Sequence, residues 1–318
     1  MSPSATRRKA SELGSSKVTA EQRIEVRKTY KLYIGGAFPR SESGRTYEVS
    51  DSSGRFLANA AMGSRKDARE AVGAARSAFE KWATTTAYNR GQVLYRVAEL
   101  MEGRRDQFAV DVAAAEGLTR AQADKVVSAA IDRWVWYAGW SDKIAQVLGG
   151  VNPVAGPYFN ISSPEPTGVV AALAPQRSSL LGLICVLAPI VVSGNTAVVL
   201  TSEHRPLPAV TLAEVLATSD VPAGVINLIT GRTAEVAPWL ASHQDVNAID
   251  LTGATDADSL AWADLERAAA ENVKRVLRPA GSGRHASDAV EPDWSPTPDL
   301  TRIKAYLEIK TVWHPRGV

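Results

Sequence analysis

The period of the apolar positions changes partway along the chain. Residues 28–62 read as short strands and turns: Leu32-Tyr33-Ile34 runs into Gly35-Gly36, and Thr46-Tyr47-Glu48-Val49 into the turn Asp51-Ser52-Ser53-Gly54. Ser64 with Asp67 three residues later has the spacing of a capping box, and Val72, Ala75, Phe79 and Trp82 follow at helical intervals. A second helix is expected over 89–115, with Val93, Val97, Leu100 and Met101 on its apolar face. A third is expected over 118–147 and carries Trp134, Trp136, Tyr137 and Trp140. An aromatic stripe at that spacing supplies buried area, so it reads as core or subunit interface.

Beyond residue 158 the pattern becomes strand–helix alternation. A strand at 158–162 precedes the turn Pro164-Glu165-Pro166. Strands at 168–173, 197–200, 225–230 and 248–252 then alternate with helices at 179–192, 208–217, 234–242 and 259–272. Such alternation predicts an α/β fold with a doubly wound parallel sheet, whose ligands sit beyond the carboxyl ends of the strands. Residues 279–300 break the pattern, with four Pro, two Gly and three Ser among 22 residues, a linker composition. Leu307-Glu308-Ile309-Lys310-Thr311-Val312-Trp313 then largely alternates apolar and polar. It reads as a strand that must pair with this chain or with another, because its backbone groups need a neighbour.

Composition narrows the choices. In a chain of 318 residues, 45% hydrophobic and 22% charged residues exclude global disorder, and a net charge of +2 gives no argument for nucleic acid. Residues 1–31 hold eight Lys/Arg against three Glu, so the remainder sums to −3. The single cysteine, Cys185, excludes an internal disulfide and a cysteine-based zinc site. The apolar run 180–192 is interrupted by Gly182 and Pro189 and is shorter than the ~18–20 residues of a membrane span, so it reads as a buried helix. Arg7, Arg8 and Lys9 suit a transit peptide, but Glu12, Glu21 and Glu25 oppose it. Residues 1–27 read as a solvated basic tail and the protein as cytoplasmic. His204, His243, His285 and His314 have no metal-ligand spacing.

Several stretches, in order, resemble the aldehyde dehydrogenase superfamily: Lys31-Leu32-Tyr33-Ile34-Gly35-Gly36, Tyr137-Ala138-Gly139-Trp140, Glu165-Pro166-Thr167-Gly168-Val169-Val170, Ser193-Gly194-Asn195-Thr196, Val221-Pro222-Ala223-Gly224-Val225-Ile226-Asn227 and Leu251-Thr252-Gly253. The resemblance spans about residues 31–276 and resumes at the terminal strand. It implies a Rossmann-like nucleotide-binding domain built from 28–155 and 168–278, with an oligomerisation hairpin over 156–167. It also implies a terminal oligomerisation strand over 301–318 that reaches a neighbouring subunit. The linker at 279–300 stands where the family carries its catalytic domain.

By that resemblance the chemistry is depleted. Aldehyde oxidation needs an activated thiolate, and Cys185 lies among Leu183, Ile184, Val186 and Leu187, away from the family's nucleophile position. Arg177 replaces the oxyanion-stabilising asparagine, and Pro279 aligns with the general-base glutamate. The family's Lys-Pro-Ser-Glu motif becomes Leu200-Thr201-Ser202-Glu203, keeping the glutamate and losing the lysine. The phosphate-proximal Gly-Ser-x-x-x-Gly loop becomes Gly253-Ala254-Thr255-Asp256-Ala257-Asp258, whose aspartates repel a pyrophosphate. Glu203 and Gly253 are thus the candidate residues of a vestigial cofactor site that binds NAD(P) weakly, with no catalytic residue and no metal. The expected role is a non-catalytic subunit that assembles with a full-length aldehyde dehydrogenase and stabilises or regulates it. The alternative is a stand-alone NAD(P)-binding aldehyde oxidoreductase, and a decaying gene product without a role is a third reading.

Overall fold

The computed structural model describes residues 28–255, 260–282 and 289–316. The basic tail, Asp256, Asp258 and His285 lie outside them. In chain order the elements are β1 (Thr29–Tyr30), β2 (Thr46–Ser50), β3 (Phe56–Ala61), α1 (Arg65–Thr84), α2 (Ala87–Gly103), α3 (Arg105–Glu116), α4 (Arg120–Ala138) and α5 (Ile144–Leu148). There follow β4 (Gly150–Asn152), β5 (Tyr158–Pro166), β6 (Val169–Leu173), α6 (Leu181–Val192), β7 (Thr196–Leu200), α7 (Leu207–Thr218), β8 (Ile226–Ile229) and α8 (Thr233–Ser242). The last elements are β9 (Ala248–Asp250), α9 (Trp262–Ala270), β10 (Arg275–Leu277), α10 (Thr301–Ala305) and β11 (Leu307–Pro315).

The central sheet has the order β10-β9-β6-β7-β8, and every pairing in it is parallel. This is the α/β, Rossmann-like doubly wound arrangement that the alternation predicts, with its switch point between β6 and β9. Both faces are covered, which is why the strands read as nearly unbroken apolar runs. Val170, Ala172, Ala197 and Val199 face the core of α2, α3, α4, α6 and α7. Val169, Ala171, Val198 and Leu200 face α1, α8 and α9. Tyr33 exchanges both backbone hydrogen bonds with Leu228 and covers the β8 edge, so 32–34 is a bridge rather than a full strand. At α1 the capping box forms as spaced: Ser64 accepts from the Asp67 amide and Asp67 from the Ser64 amide.

Several boundaries differ from expectation. The helix expected over 89–115 breaks at Gly103, where Arg104 leaves helical geometry, giving α2 and α3. The helix expected over 118–147 ends at Ala138 and resumes as the short α5, with Gly139 and Trp140 in a turn. The strand expected at 158–162 continues through Pro164 and Pro166. β4 pairs only with 160–162, so on that side the two prolines interrupt no ladder.

A second sheet, β11-β5-β4, stands beside the first. β11 runs antiparallel to this chain's own β5 in a nine-residue register from Leu307–Pro166 to Pro315–Tyr158. Of the two pairings left open by the sequence, this is the one within the chain. The 279–300 segment also differs from a free linker. Ala280 bridges Val290, Trp294 packs on the core, and Arg133 donates to the Trp294 and Pro296 carbonyls at 2.8 and 2.9 Å. Gly182 makes room for Trp294, whose indole nitrogen lies 2.9 Å from where a Cβ would stand.

Buried Asp250, at the carboxyl end of β9, holds the returning chain. It accepts from the Arg302 guanidinium at 2.6 Å and the Tyr306 hydroxyl at 2.5 Å, and its other oxygen accepts from the Thr252 amide and hydroxyl. Burial, then the Asp250 charge, pushes the Tyr306 hydroxyl well above the ordinary phenol range, which keeps it a donor. Asn195 completes the clamp, donating to the Tyr306 carbonyl at 2.8 Å while its own oxygen accepts from the Gly168 amide. Replacing Asp250 by Ala leaves Arg302 without its counter-charge, and the expected loss is about 3 kcal/mol. Urea denaturation checks it, and limited proteolysis should release the β11 segment in the variant before the parent.

Candidate functional site

In a doubly wound sheet a ligand sits beyond the carboxyl ends of the strands near the switch point. Here that region is the meeting place of the loops after β6, β7 and β9. Gln176 joins the first two: its side-chain nitrogen donates to the Ala174 carbonyl, and its oxygen accepts from the Glu203 amide, both at 2.9 Å. Ser202 donates to the Gln176 carbonyl.

Glu203 is buried, and the chain itself uses both its carboxylate oxygens. One takes the Arg232 guanidinium at 2.6 Å, and the other the Thr233 amide at 2.8 Å. Thr233 opens α8, whose N-cap residue Arg232 supplies no side-chain cap, so Glu203 satisfies an otherwise orphaned helix amide. Gly253 lies in a tight turn at 252–254, where a Cβ would land on the Ala174 carbonyl oxygen. Its lack of a side chain thus serves protein packing across the switch point. The structure brings Glu203 and Gly253 to the same end of the sheet, each with a role in holding the loops. Both roles were invisible in the sequence, which shows residue types and not partners.

Three further amides of the loop after β6 are taken by carboxylates of the chain. Glu291 accepts from the amides of Arg177 and Ser178 at 2.9 and 3.0 Å, and Trp294 donates to it from the indole at 3.3 Å. Glu116 accepts from the Ser179 amide and hydroxyl, both at 2.7 Å. Burial pushes its carboxyl up, and the Ser179 bonds oppose that rise. Arg177 is an exposed side chain, and its carbonyl accepts from Arg205. Pro279 is buried. Leu200 sits within the sheet core. The amides of Arg177, Ser178, Ser179 and Thr233 already hold carboxylates of the chain, and Leu200 stands at the motif's lysine position.

Cys185 is 5% exposed on α6, and burial pushes its thiol up to about 11. It lines a cavity of about 480 Å³ with Arg133, Tyr137, Leu277, Trp294 and Arg302. Sequence reasoning missed Asp250, Glu291 and Arg133. Of these Arg133 left a signal, a charge four residues before Tyr137 on the apolar face of the aromatic helix. Among the described residues no group of His, Cys, Asp and Glu has the makings of a metal site, and no helix is long and apolar enough to cross a membrane.

Comparison with known proteins identifies the class. The aldehyde dehydrogenase family pattern matches residues 38–286, and the chain belongs to that family. It is 32% identical over 263 residues to mouse cytosolic 10-formyltetrahydrofolate dehydrogenase, covering 81% of this chain and 29% of that protein. It is also 32% identical over 268 residues to the putative aldehyde dehydrogenase DhaS of Bacillus subtilis, covering 83% of this chain and 53% of that one. The chain thus spans about half the length of DhaS and less of the mouse protein. Among solved structures, HpcC from Thermus thermophilus superposes with a TM-score of 0.74 at 30% identity, covering 78% of this chain and 47% of that chain. An NAD+ complex of aldehyde dehydrogenase from Bacillus cereus gives 0.73 at 29%, covering 78% and 50%.

Two outcomes follow from this geometry. Glu203→Ala removes a helix cap and an ion pair whose carboxylate is buried while its guanidinium is 43% exposed, and should lower stability by about 1–2 kcal/mol in denaturant titrations without cofactor. The raised Cys185 thiol favours the protonated form in the folded state. Its contribution to stability is present below the ordinary thiol value and is lost as pH rises through about 11. At pH 8, iodoacetamide should alkylate the native chain about a hundredfold more slowly than the urea-unfolded chain, as the smaller thiolate fraction dictates.

Proposed function

We propose that this chain is a non-catalytic aldehyde dehydrogenase-like subunit. In this reading it assembles in the cytoplasm with a full-length NAD(P)-dependent aldehyde dehydrogenase and stabilises or regulates that partner. The observation that carries the reading is the β11-β5-β4 sheet. It is bound firmly to the fold at its base yet exposes Val151, Tyr158, Ile309, Val312 and Trp313, the last 57% exposed. A projecting sheet with apolar side chains on both faces and an unpaired β11 edge suits strand addition or face packing by another subunit. The lone cysteine is buried with a raised thiol, which argues against this chain supplying the nucleophile itself. Occupied loop amides and the engaged Glu203 support weak NAD(P) binding at most.

Co-expression with each aldehyde dehydrogenase of the same cell, followed by native mass spectrometry, tests the assembly. A hetero-oligomer is expected with one of them, and the double variant Ile309→Lys, Trp313→Lys should dissociate it while the isolated variant keeps its helical circular dichroism. A chain that remains monomeric with every such enzyme overturns the reading. Calorimetric titration tests the cofactor part. No heat is expected at millimolar NAD or NADP, whereas micromolar affinity lost in Glu203→Ala would establish the stand-alone oxidoreductase instead.

A further inference from the structure

We propose that the cavity between α4, α6 and the 292–302 segment is a binding site for a small organic monoanion, a carboxylate on an apolar body, held by Arg133 and Tyr137. This goes beyond the subunit reading and stands independently of it, since every residue involved belongs to this chain.

The observation is a buried cation without a counter-charge. Arg133 is 6% exposed. Its two amino groups donate to the neutral carbonyls of Pro296 and Trp294, its Nε is buried without a partner, and no carboxylate among the described residues forms an ion pair with it. The other guanidiniums on the cavity wall are neutralised, Arg302 by Asp250 at 2.6 Å and Arg278 by Glu266 at 2.7 Å. Buried charges are ordinarily paired, because leaving one unpaired costs several kcal/mol. A guanidinium has five N–H donors, so two carbonyls do not exhaust Arg133.

Tyr137 stands one helical turn further along α4 on the same cavity wall, and none of the described residues takes a hydrogen bond from its hydroxyl. Burial raises that hydroxyl above the ordinary phenol value, so it faces the cavity as a donor.

The rest of the wall sets the ligand class. Leu277, Trp294, Pro296 and Pro298 are apolar, and a volume of about 480 Å³ lies within the range of small-molecule pockets. Asp293 and Asp299 also line the cavity. Asp293 accepts from the Ser295 amide and hydroxyl at 2.9 Å, and Asp299 accepts from the Thr301 amide at 2.8 Å. Their charges disfavour a dianion. One unneutralised cation, one phenol donor and an aromatic-proline wall together match a monocarboxylate with a flat or aliphatic body better than a phosphate.

Calorimetry on the isolated full chain tests this with benzoate as the probe, benzamide as its neutral isostere and inorganic phosphate as the dianion. Saturable benzoate binding is expected, with benzamide and phosphate at least about tenfold weaker, a difference of ~1.4 kcal/mol. Arg133→Met should weaken benzoate at least tenfold, yet unliganded it should melt no lower than the parent, because it removes a buried cation. Tyr137→Phe should weaken benzoate several-fold, and Arg133→Lys, which keeps the charge, should retain part of the affinity if the Met variant fails to fold. The proposal is overturned by absent benzoate binding at about 10 mM, where even a millimolar site would be mostly filled. Equal binding of benzamide overturns it too, as does unchanged benzoate affinity in the Arg133 variants.

Discussion

The returning C-terminal chain depends on one buried carboxylate. Asp250 sits at the carboxyl end of β9 with no exposure and gathers four hydrogen bonds, two from its own turn and two from Arg302 and Tyr306. A charge in that position is tolerated only when its partners are in place, so the network behaves as a unit. It fixes α10 against α6 and delivers Leu307 into the core, from which β11 departs along β5. Asn195, in the turn between α6 and β7, reinforces the same point by holding the Tyr306 carbonyl and the Gly168 amide together. The central sheet and the projecting sheet are thereby joined through side-chain chemistry as well as backbone continuity.

The carboxyl ends of the strands show a second consequence of charge placement. Backbone amides at the start of a helix or in a tight loop attract anions, and in doubly wound folds they commonly receive a ligand's phosphate or carboxylate. Here Glu203, Glu116 and Glu291 fill that role from within the chain. Each satisfies amides that would otherwise be left open, and each joins segments distant in sequence. The same chemistry that binds nucleotides elsewhere has become internal bracing. At the switch point Gly253 lies close against the end of β6, where a Cβ would meet the Ala174 carbonyl.

How much of this was legible in the sequence follows from the range of each interaction. The strand–helix alternation, the Ser64 capping box and the amphipathic terminal strand are local patterns, and the structure contains all three. Breaks at Gly103 and Gly139 were missed because apolar spacing continues across them, and spacing alone cannot show that a helix axis turns. The extent of β5 was missed because proline signals a turn unless one edge of the strand is known to be free. The 279–300 segment has linker composition, yet Trp294 and Glu291 dock it, and neither contact leaves a periodic trace. Glu203 and Gly253 were legible as residue types at family positions. Their true partners, Arg232, Thr233 and Ala174, were not, because pairing over such separations is set by tertiary geometry.

The projecting sheet poses a physical problem that its own chain does not solve. A three-stranded sheet needs at least one apolar face packed against something to be stable, and long unpaired edges invite association. β11 is buried only at Leu307, and its remaining eight residues are exposed. Tyr158 and Trp313 meet edge to face, and Val151, Ile161 and Val312 fall in register across the opposite surface; α5 packs against part of β5, and Val151, Ile309, Val312 and Trp313 stay exposed. Glu308 and Lys310 place charges along the strand, which discourages indiscriminate edge pairing without hiding the apolar positions. Under the proposed function a second polypeptide supplies the cover, and the anchored base then transmits to this fold the free energy of burying that face.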